Sequence, residues 1–240
     1  MTRTITPLLT HGLFAVVLAA CGDTTDAGPA DGTGGSESGG ADDLEICDPA
    51  NGPFSLEINN PYLPFVVGAM HELAGLEAGT DQARFTLLVL DEVEQVQGVM
   101  TRPVRKTSYG QDGTEEVLEA VSTNWYAQAP DGSVCLFGEF EELYADGVVE
   151  AAEGWRAGED DARAVVAMPA MPTVGQTFTA IYLPPDEVEV TEVTEVGVPA
   201  TTPAGVLDDT VTLLEEGPSI KKFARGIGEV YDDGIELTAY

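Results

Sequence analysis

The chain has 240 residues and carries 42 Asp and Glu against 10 Lys and Arg, a formal net charge of -32. A surface so acidic repels phosphates and anionic headgroups, which excludes a DNA or RNA role, and it attracts cations or basic partners. The length fits one folded domain with a tail.

In chain order, a short head bearing Arg3 leads into the apolar run Leu13-Phe14-Ala15-Val16-Val17-Leu18-Ala19-Ala20, and Cys21 follows. A positive end, an apolar middle and small residues before a cut make a secretory signal. The apolar part is shorter than the roughly 20 residues of a membrane span. Plain secretion is one reading of these residues. A cysteine placed directly after Leu-Ala-Ala, however, resembles the lipobox of bacterial lipoproteins. That resemblance implies that residues 1–20 are removed and that the Cys21 thiol takes a diacylglyceryl group. It also implies that the new amino end takes a further acyl chain such as palmitate. At roughly 0.8 kcal/mol per buried methylene, two or three chains anchor a soluble domain to a bilayer. Gly22 stands where an aspartate would mark inner-membrane retention, which points to the outer membrane or cell surface.

Residues 21–43 hold no large apolar side chain and are rich in Gly, Ser and Asp. Such a segment cannot offset chain entropy by burial, so it reads as a flexible tether of about 25 Å root-mean-square span. Residues 44–240 read as a single β-rich domain. Cys47 and Cys135 remain once Cys21 is assigned. In an exported chain they read either as a disulfide closing a long loop or as two separate buried thiols. With no histidine nearby they do not read as metal ligands.

The segment Asn60-Pro61-Tyr62-Leu63-Pro64 opposes helix, and its aromatics should pin the start of the domain to the core. Alternation then predicts strands at 69–76, 83–96 and 98–108, the last an edge or bulged strand because of Pro103. Asp-Gly pairs at Asp112-Gly113, Asp131-Gly132, Asp146-Gly147 and Asp233-Gly234 mark tight turns. Their spacing predicts an antiparallel meander through 116–128, 133–143 and 148–153. The acidic ladder and closing glutamate of a calcium loop are missing around them. Glu159–Arg163 could make one helical turn, followed by an extended crossover through Met168–Pro172. Strands resume at 176–183, 188–196, 210–215, 220–225, 228–231 and 235–240. The expected fold is an antiparallel meander of about ten strands, a strongly bent sheet or incomplete barrel, with one short helical or irregular crossover near 157–174.

Several motifs follow a recurrent order: Asn60-Pro61-Tyr62-x-Pro64 with Gly68; Trp125-Tyr126-Ala127-Gln128; Phe137-Gly138-Glu139; Asp146-Gly147-Val148-Val149; Gly154-Trp155-x-Ala157-Gly158; Met168-Pro169-Ala170-x-Pro172 with Gly175 and Phe178; and Gly226-Ile227-Gly228-x-Val230. From Asn60 to Tyr240 the chain resembles a family of exported bacterial proteins and predicted lipoproteins of uncharacterised function. The resemblance implies a β-rich fold and supplies no catalytic residue. Cys135-Leu136 departs from the aromatic residues usual before Phe-Gly-Glu.

Trp155, Met168 and Met171 read as a plug for an open end of the sheet or as the lining of an apolar groove. His71 is a lone histidine after the signal and reads as a surface or packing residue; no zinc motif, nucleophile elbow, phosphate loop or dinucleotide fingerprint occurs. Glu139, Glu141 and Glu142 could serve a carboxylate-based hydrolase, with or without calcium, and read more simply as acids of a solvated face. The expected function is therefore a lipid-anchored cell-envelope module that holds an apolar ligand or protein partner without catalysis, metal or cofactor. Replacing Cys21 by Ser should move the protein from the membrane fraction to the soluble fraction on cell fractionation; retention in the membrane would refute the anchor.

Overall fold

The computed structural model describes residues 42–240 except Ala78, Thr80, Asp186, Glu216 and Pro218. The signal, Cys21 and nearly all of the tether lie outside the described residues. A one-turn helix α1 (Asp42–Ile46) and a 3-10 turn (Pro49–Asn51) precede the strands. The strands are β1 (Ile58–Asn59), β2 (Pro64–Phe65), β3 (Met70–Glu77), β4 (Asp81–Val89), β5 (Glu94–Val96), β6 (Val99–Asp112), β7 (Glu115–Gln128), β8 (Val134–Ala145), β9 (Val148–Arg156), β10 (Val165–Met168), β11 (Thr177–Leu183), β12 (Glu187–Thr202), β13 (Gly205–Leu214), β14 (Ile220–Ala224), β15 (Gly228–Asp232) and β16 (Ile235–Ala239).

One antiparallel sheet of 14 strands runs β10-β8-β7-β6-β4-β3-β16-β15-β14-β13-β12-β11, with β5 added to β6 and β9 to β8. The first and last long segments of the domain, β3 and β16, are neighbours in its middle. Its two ends, β10 and β11, are consecutive in the chain and approach each other without forming a ladder. A backbone hydrogen bond from Arg163 N–H to the Tyr182 carbonyl (3.2 Å) joins the margins. The result is an incomplete barrel. Helix α1 lies across the gap, in contact with both β10 and β11. The Asp43 carboxylate accepts from the Thr179 N–H. Arg163 reaches Glu45 at 3.3 Å and Asp48 at 3.4 Å. A disulfide joins Cys47 to Cys135 on β8 (Cα–Cα 5.6 Å).

Turn chemistry explains much of the meander. Asp146-Gly147 (φ 50° and 75°) and Asp233-Gly234 (44° and 99°) have both central residues left-handed, which matches the twist of the strands they connect. The segment expected as one strand over 83–96 is two. The Arg102 guanidinium donates to the carbonyls of Leu90, Asp91 and Glu92 (3.2, 2.8 and 3.2 Å), folding the chain back so that β5 pairs with the start of β6. Glu159–Arg163 forms no helix, because Gly158, Asp160 and Asp161 are left-handed (φ 87°, 47° and 65°) and make a tight turn instead. The crossover itself contains β10. Strands β12 and β13 run into one long hairpin where two shorter, separated strands were expected.

One end of the barrel is stoppered by residues 55–68. Asn60, 1% exposed, donates from its amide to the carbonyls of Gly132 and Pro169, in the loops after β7 and β10, at 3.1 and 3.0 Å. Its carboxamide oxygen accepts from the N–H groups of Tyr62 and Leu63. Gly226, in the β14–β15 turn, donates to the Pro61 carbonyl (2.7 Å). Phe65 packs on Tyr126, ring centroids 4.9 Å apart. Within the sheet, Leu73, Phe85, Leu207, Ala224, Val230, Ile235 and Leu237 form a buried apolar cluster.

Because the disulfide fixes the gap-spanning segment to β8 and closes an 88-residue separation, the Cys135→Ser chain should be less stable by about 2–4 kcal/mol. Urea unfolding of the oxidised, reduced and substituted chains measures this; identical midpoints would show that the bridge contributes nothing.

Candidate functional site

The registers decide which side chains face inward. Leu73 pairs with Phe85 and Phe85 with Ser108. Two residues along β6 on the same face stands Lys106, which pairs with Ser122, and Ser122 pairs with Glu141. The next row along is Val104, Asn124 and Glu139, and β9 adds Trp155 opposite Glu139 and Glu153 opposite Glu141. On the other side of the sheet, Asp232 pairs with Ile235 and with Lys221, and Lys221 pairs with Leu213.

The two sets meet. Lys106 Nζ lies 3.3 Å from the Asp232 carboxylate and 4.1 Å from the centre of the Phe85 ring. Strands β6 and β15 are four steps apart in the sheet, which in a flat sheet would separate them by about 19 Å. The contact is therefore made across the hollow of the curled sheet, between side chains that both point inward. Lys221 binds Glu215 at 3.1 Å. A bulge opposite Lys222 and Phe223 turns Glu229 towards the same space, where it feels Asp232, Lys106, Lys221 and Glu215.

Lys106, Lys221 and Asp232 are enclosed by strands yet reached by water. The side chains of Lys106 and Lys221 keep 28% and 20% of their exposure, and that of Asp232 keeps 14%. Burial pushes the Glu139 carboxyl up to about 7, and Glu141 adds to this; Lys106, Lys221 and a hydrogen bond from Asn124 oppose it. Burial and then Asp232 also raise Glu229, against Lys106 and Lys221. Glu141 is raised by burial, with Lys106 opposing and Glu153 adding. Burial would lower both lysines, but their carboxylate neighbours outweigh it and hold them above the ordinary value. Burial, then Glu139 and Glu229, keep the Tyr126 phenol protonated well above its usual range.

Two buried polar atoms here have no hydrogen-bond partner among the described residues: Glu229 Oε1 and Trp155 Nε1. Both lysines are satisfied by Asp232 and Glu215. Among the described residues no ion pair reaches Glu139, Glu141 or Glu229. No group of three or more His, Cys, Asp or Glu side chains there is arranged to hold a metal ion.

Of the residues nominated from sequence, Glu139 and Glu141 are not acids of a solvated outer face, since their register turns them into the hollow. Glu142 points the other way and accepts from the Tyr144 hydroxyl (3.1 Å). Trp155 is 8% exposed, Met168 is fully buried and Met171 is 83% exposed, so the three do not line one surface. His71 packs near Gly228 and the Tyr240 ring, and burial lowers its pKa. Lys106, Lys221, Glu229 and Asp232 escaped the sequence reading. The available signal was the pairs Arg105-Lys106 and Lys221-Lys222 inside strands, since one member of any such pair must face inward. A second concavity of about 580 Å³ lies outside, at the stoppered end, lined largely by apolar residues including Leu56, Ile58, Pro64 and Val66.

A carboxyl raised from its ordinary value to about 7 favours the fold while it is protonated. The folded state then binds more protons than the unfolded state, and stability is lost as pH rises towards and through 7. The Glu139→Gln chain, which keeps the partner for Asn124, should be more stable than the parent by about 1–2 kcal/mol at pH 8 and by much less at pH 5. Paired urea titrations at the two pH values test this; a gap that widens towards pH 5 would contradict the assignment. No family model, curated protein or solved structure matches the chain.

Proposed function

We propose that this is an exported lipoprotein, anchored through Cys21 at the outer membrane or cell surface, and that its curled sheet holds a small polar ligand inside without breaking bonds in it. The observation that supports this reading is the Lys106–Asp232 contact across a hollow that water still reaches. A sheet that merely needed stability would fill that space with apolar side chains, because burying charges costs more than an apolar replacement of the same volume. An apolar lining was expected on this face. It occurs near the stopper, whereas the water-reached part is charged, so the ligand of this reading is polar.

Two observations favour other readings. Val66, 67% exposed at the outer groove, favours an apolar ligand or protein partner there. Glu139, with its proton retained near neutral pH, has the property of a general acid and favours a carboxylate-based hydrolase. Hydrolysis of chromogenic glycosides that disappears in Glu139→Gln would establish the latter.

Access to the hollow is tested with a thiol in place of Ser108, which shares the inward face of Lys106. In a chain also carrying Cys21→Ser, a small neutral methanethiosulfonate should label Ser108→Cys within minutes while the fold is intact by circular dichroism. Failure of this folded variant to react would show that the interior is sealed and would end the interior-binding reading.

A further inference from the structure

We infer that the interior selects an organic cation, a small polar molecule bearing an ammonium group, held by Glu229 and Glu139 against the indole of Trp155. The inference rests on the interior being the binding site. It comes from the charges and rings that the fold leaves unmatched.

Lys106 and Lys221 each have a carboxylate partner in contact, at 3.3 and 3.1 Å. An anionic ligand would have to displace Asp232 or Glu215 to reach them. The acids outnumber the lysines, with Glu139, Glu141, Glu153 and Glu229 left over beside Asp232 and Glu215. Glu229 Oε1 is buried without a donor. An unmade bond to a buried carboxyl is costly, more so where the group is charged, so a donor that completes it is strongly favoured. The unmatched charge of the hollow is thus negative.

The rings add a second, independent preference. Trp155 stands opposite Glu139 on the inward face, and Tyr126 lies one row further along the same side of β7. An ammonium group over such a ring is attracted by the ring quadrupole, most strongly with indole. Carboxylates beside an indole therefore suit an ammonium better than a bare metal ion, for which no group of three ligands is assembled among the described residues. The unpartnered Trp155 Nε1–H asks in addition for an acceptor, such as a hydroxyl or carbonyl on the same molecule.

Protonation sets when the site is ready. Glu229 faces Asp232, Lys106, Lys221 and Glu215; Glu139 faces Glu141, Lys106 and Lys221, with Tyr126 nearby. Below neutral pH both carboxyls keep their protons and the net demand for a cation falls. Above it they ionise and the demand rises.

The test uses the full chain with Cys21→Ser and two thiol positions, the inward Ser108→Cys and the exposed Val148→Cys. The labelling rate of an ammonium-bearing methanethiosulfonate is divided by that of a sulfonate-bearing one. At pH 8 and 0.15 M salt this ratio should be about tenfold larger at Ser108→Cys than at Val148→Cys, because an acid-lined cleft concentrates cations. The excess should shrink at pH 6 and vanish when Glu139→Gln and Glu229→Gln are added. Ratios equal at the two positions, or a faster sulfonate inside, would overturn the cation preference while leaving access intact; no labelling by either reagent would instead refute interior binding. Calorimetric titration of the chain with native Ser108, using 1,4-diaminobutane, supplies a readout free of the new thiol. Binding should be about tenfold tighter at pH 8 than at pH 6 and release protons. Affinity independent of pH, or unchanged by Glu139→Gln with Glu229→Gln, would overturn the proposal.

Discussion

An ammonium and a carboxylate four strands apart in one sheet touch each other, and the rest of the structure is arranged so that they can. The Lys106–Asp232 contact requires the sheet to curl until strands four steps apart bring their inward side chains together. Strand twist alone bends a sheet gently. Here bulges sharpen it at Ser108–Tyr109, Leu143–Tyr144, Lys222–Phe223 and three places in the β12–β13 ladder. Each bulge adds a residue to one strand and increases local twist. The bulge at Lys222–Phe223 has a second effect, since it brings Glu229 to the same side as Asp232.

Curling without closing leaves two margins with unpaired backbone groups. These are handled by the amino-terminal segment and not by a further strand. Helix α1 has only five residues and would not persist alone in water. It is held by the Cys47–Cys135 bridge, by Arg163 between Glu45 and Asp48, and by the bond from Thr179 to Asp43. Polar and covalent ties do this work because a segment so short has little apolar area to offer. The same segment continues into residues 55–68, which fill the opposite need, an apolar stopper at one end. The barrel thus runs from an apolar closed end to a charged, wet region.

Much of this was legible in the sequence and the missing parts have a common cause. Asp-Gly pairs and period-two alternation are local, and they located the meander, the Asp146-Gly147 and Asp233-Gly234 turns and the bent-sheet class. The break at Asp91 was not legible, because it depends on Arg102, eleven residues away, capturing three carbonyls. The helical turn expected at Glu159–Arg163 failed because Asp160 and Asp161 took left-handed conformations that aspartate tolerates and a helix cannot use. Glu139 and Glu141 were assigned to the wrong side. Alternation separates two faces but does not say which is inside when both are wet, and the usual guess that acids face solvent holds only where the interior is dry. The closing pair β3–β16 joins residues more than 150 positions apart, beyond any local pattern.

Glu139, Glu141, Glu215, Glu229 and Asp232, with Glu153 beside Glu141, share the partly enclosed hollow with two ammonium groups, and if all were ionised the excess negative charges would repel one another more strongly than in bulk water. The fold relieves this in two ways. It leaves Lys106 and Lys221 firmly charged beside Asp232 and Glu215, and it lets burial keep Glu139 and Glu229 protonated towards neutral pH. The first removes any free positive charge that could attract an anion. The second leaves carboxyls that ionise only when something positive, or a rise in pH, lowers the cost. A protein whose outer surface is already strongly acidic gains nothing in solubility from acids turned inward. On the reading proposed above, a cation brought into contact with Glu229 and Glu139 would supply the neutralising charge that protons supply at lower pH.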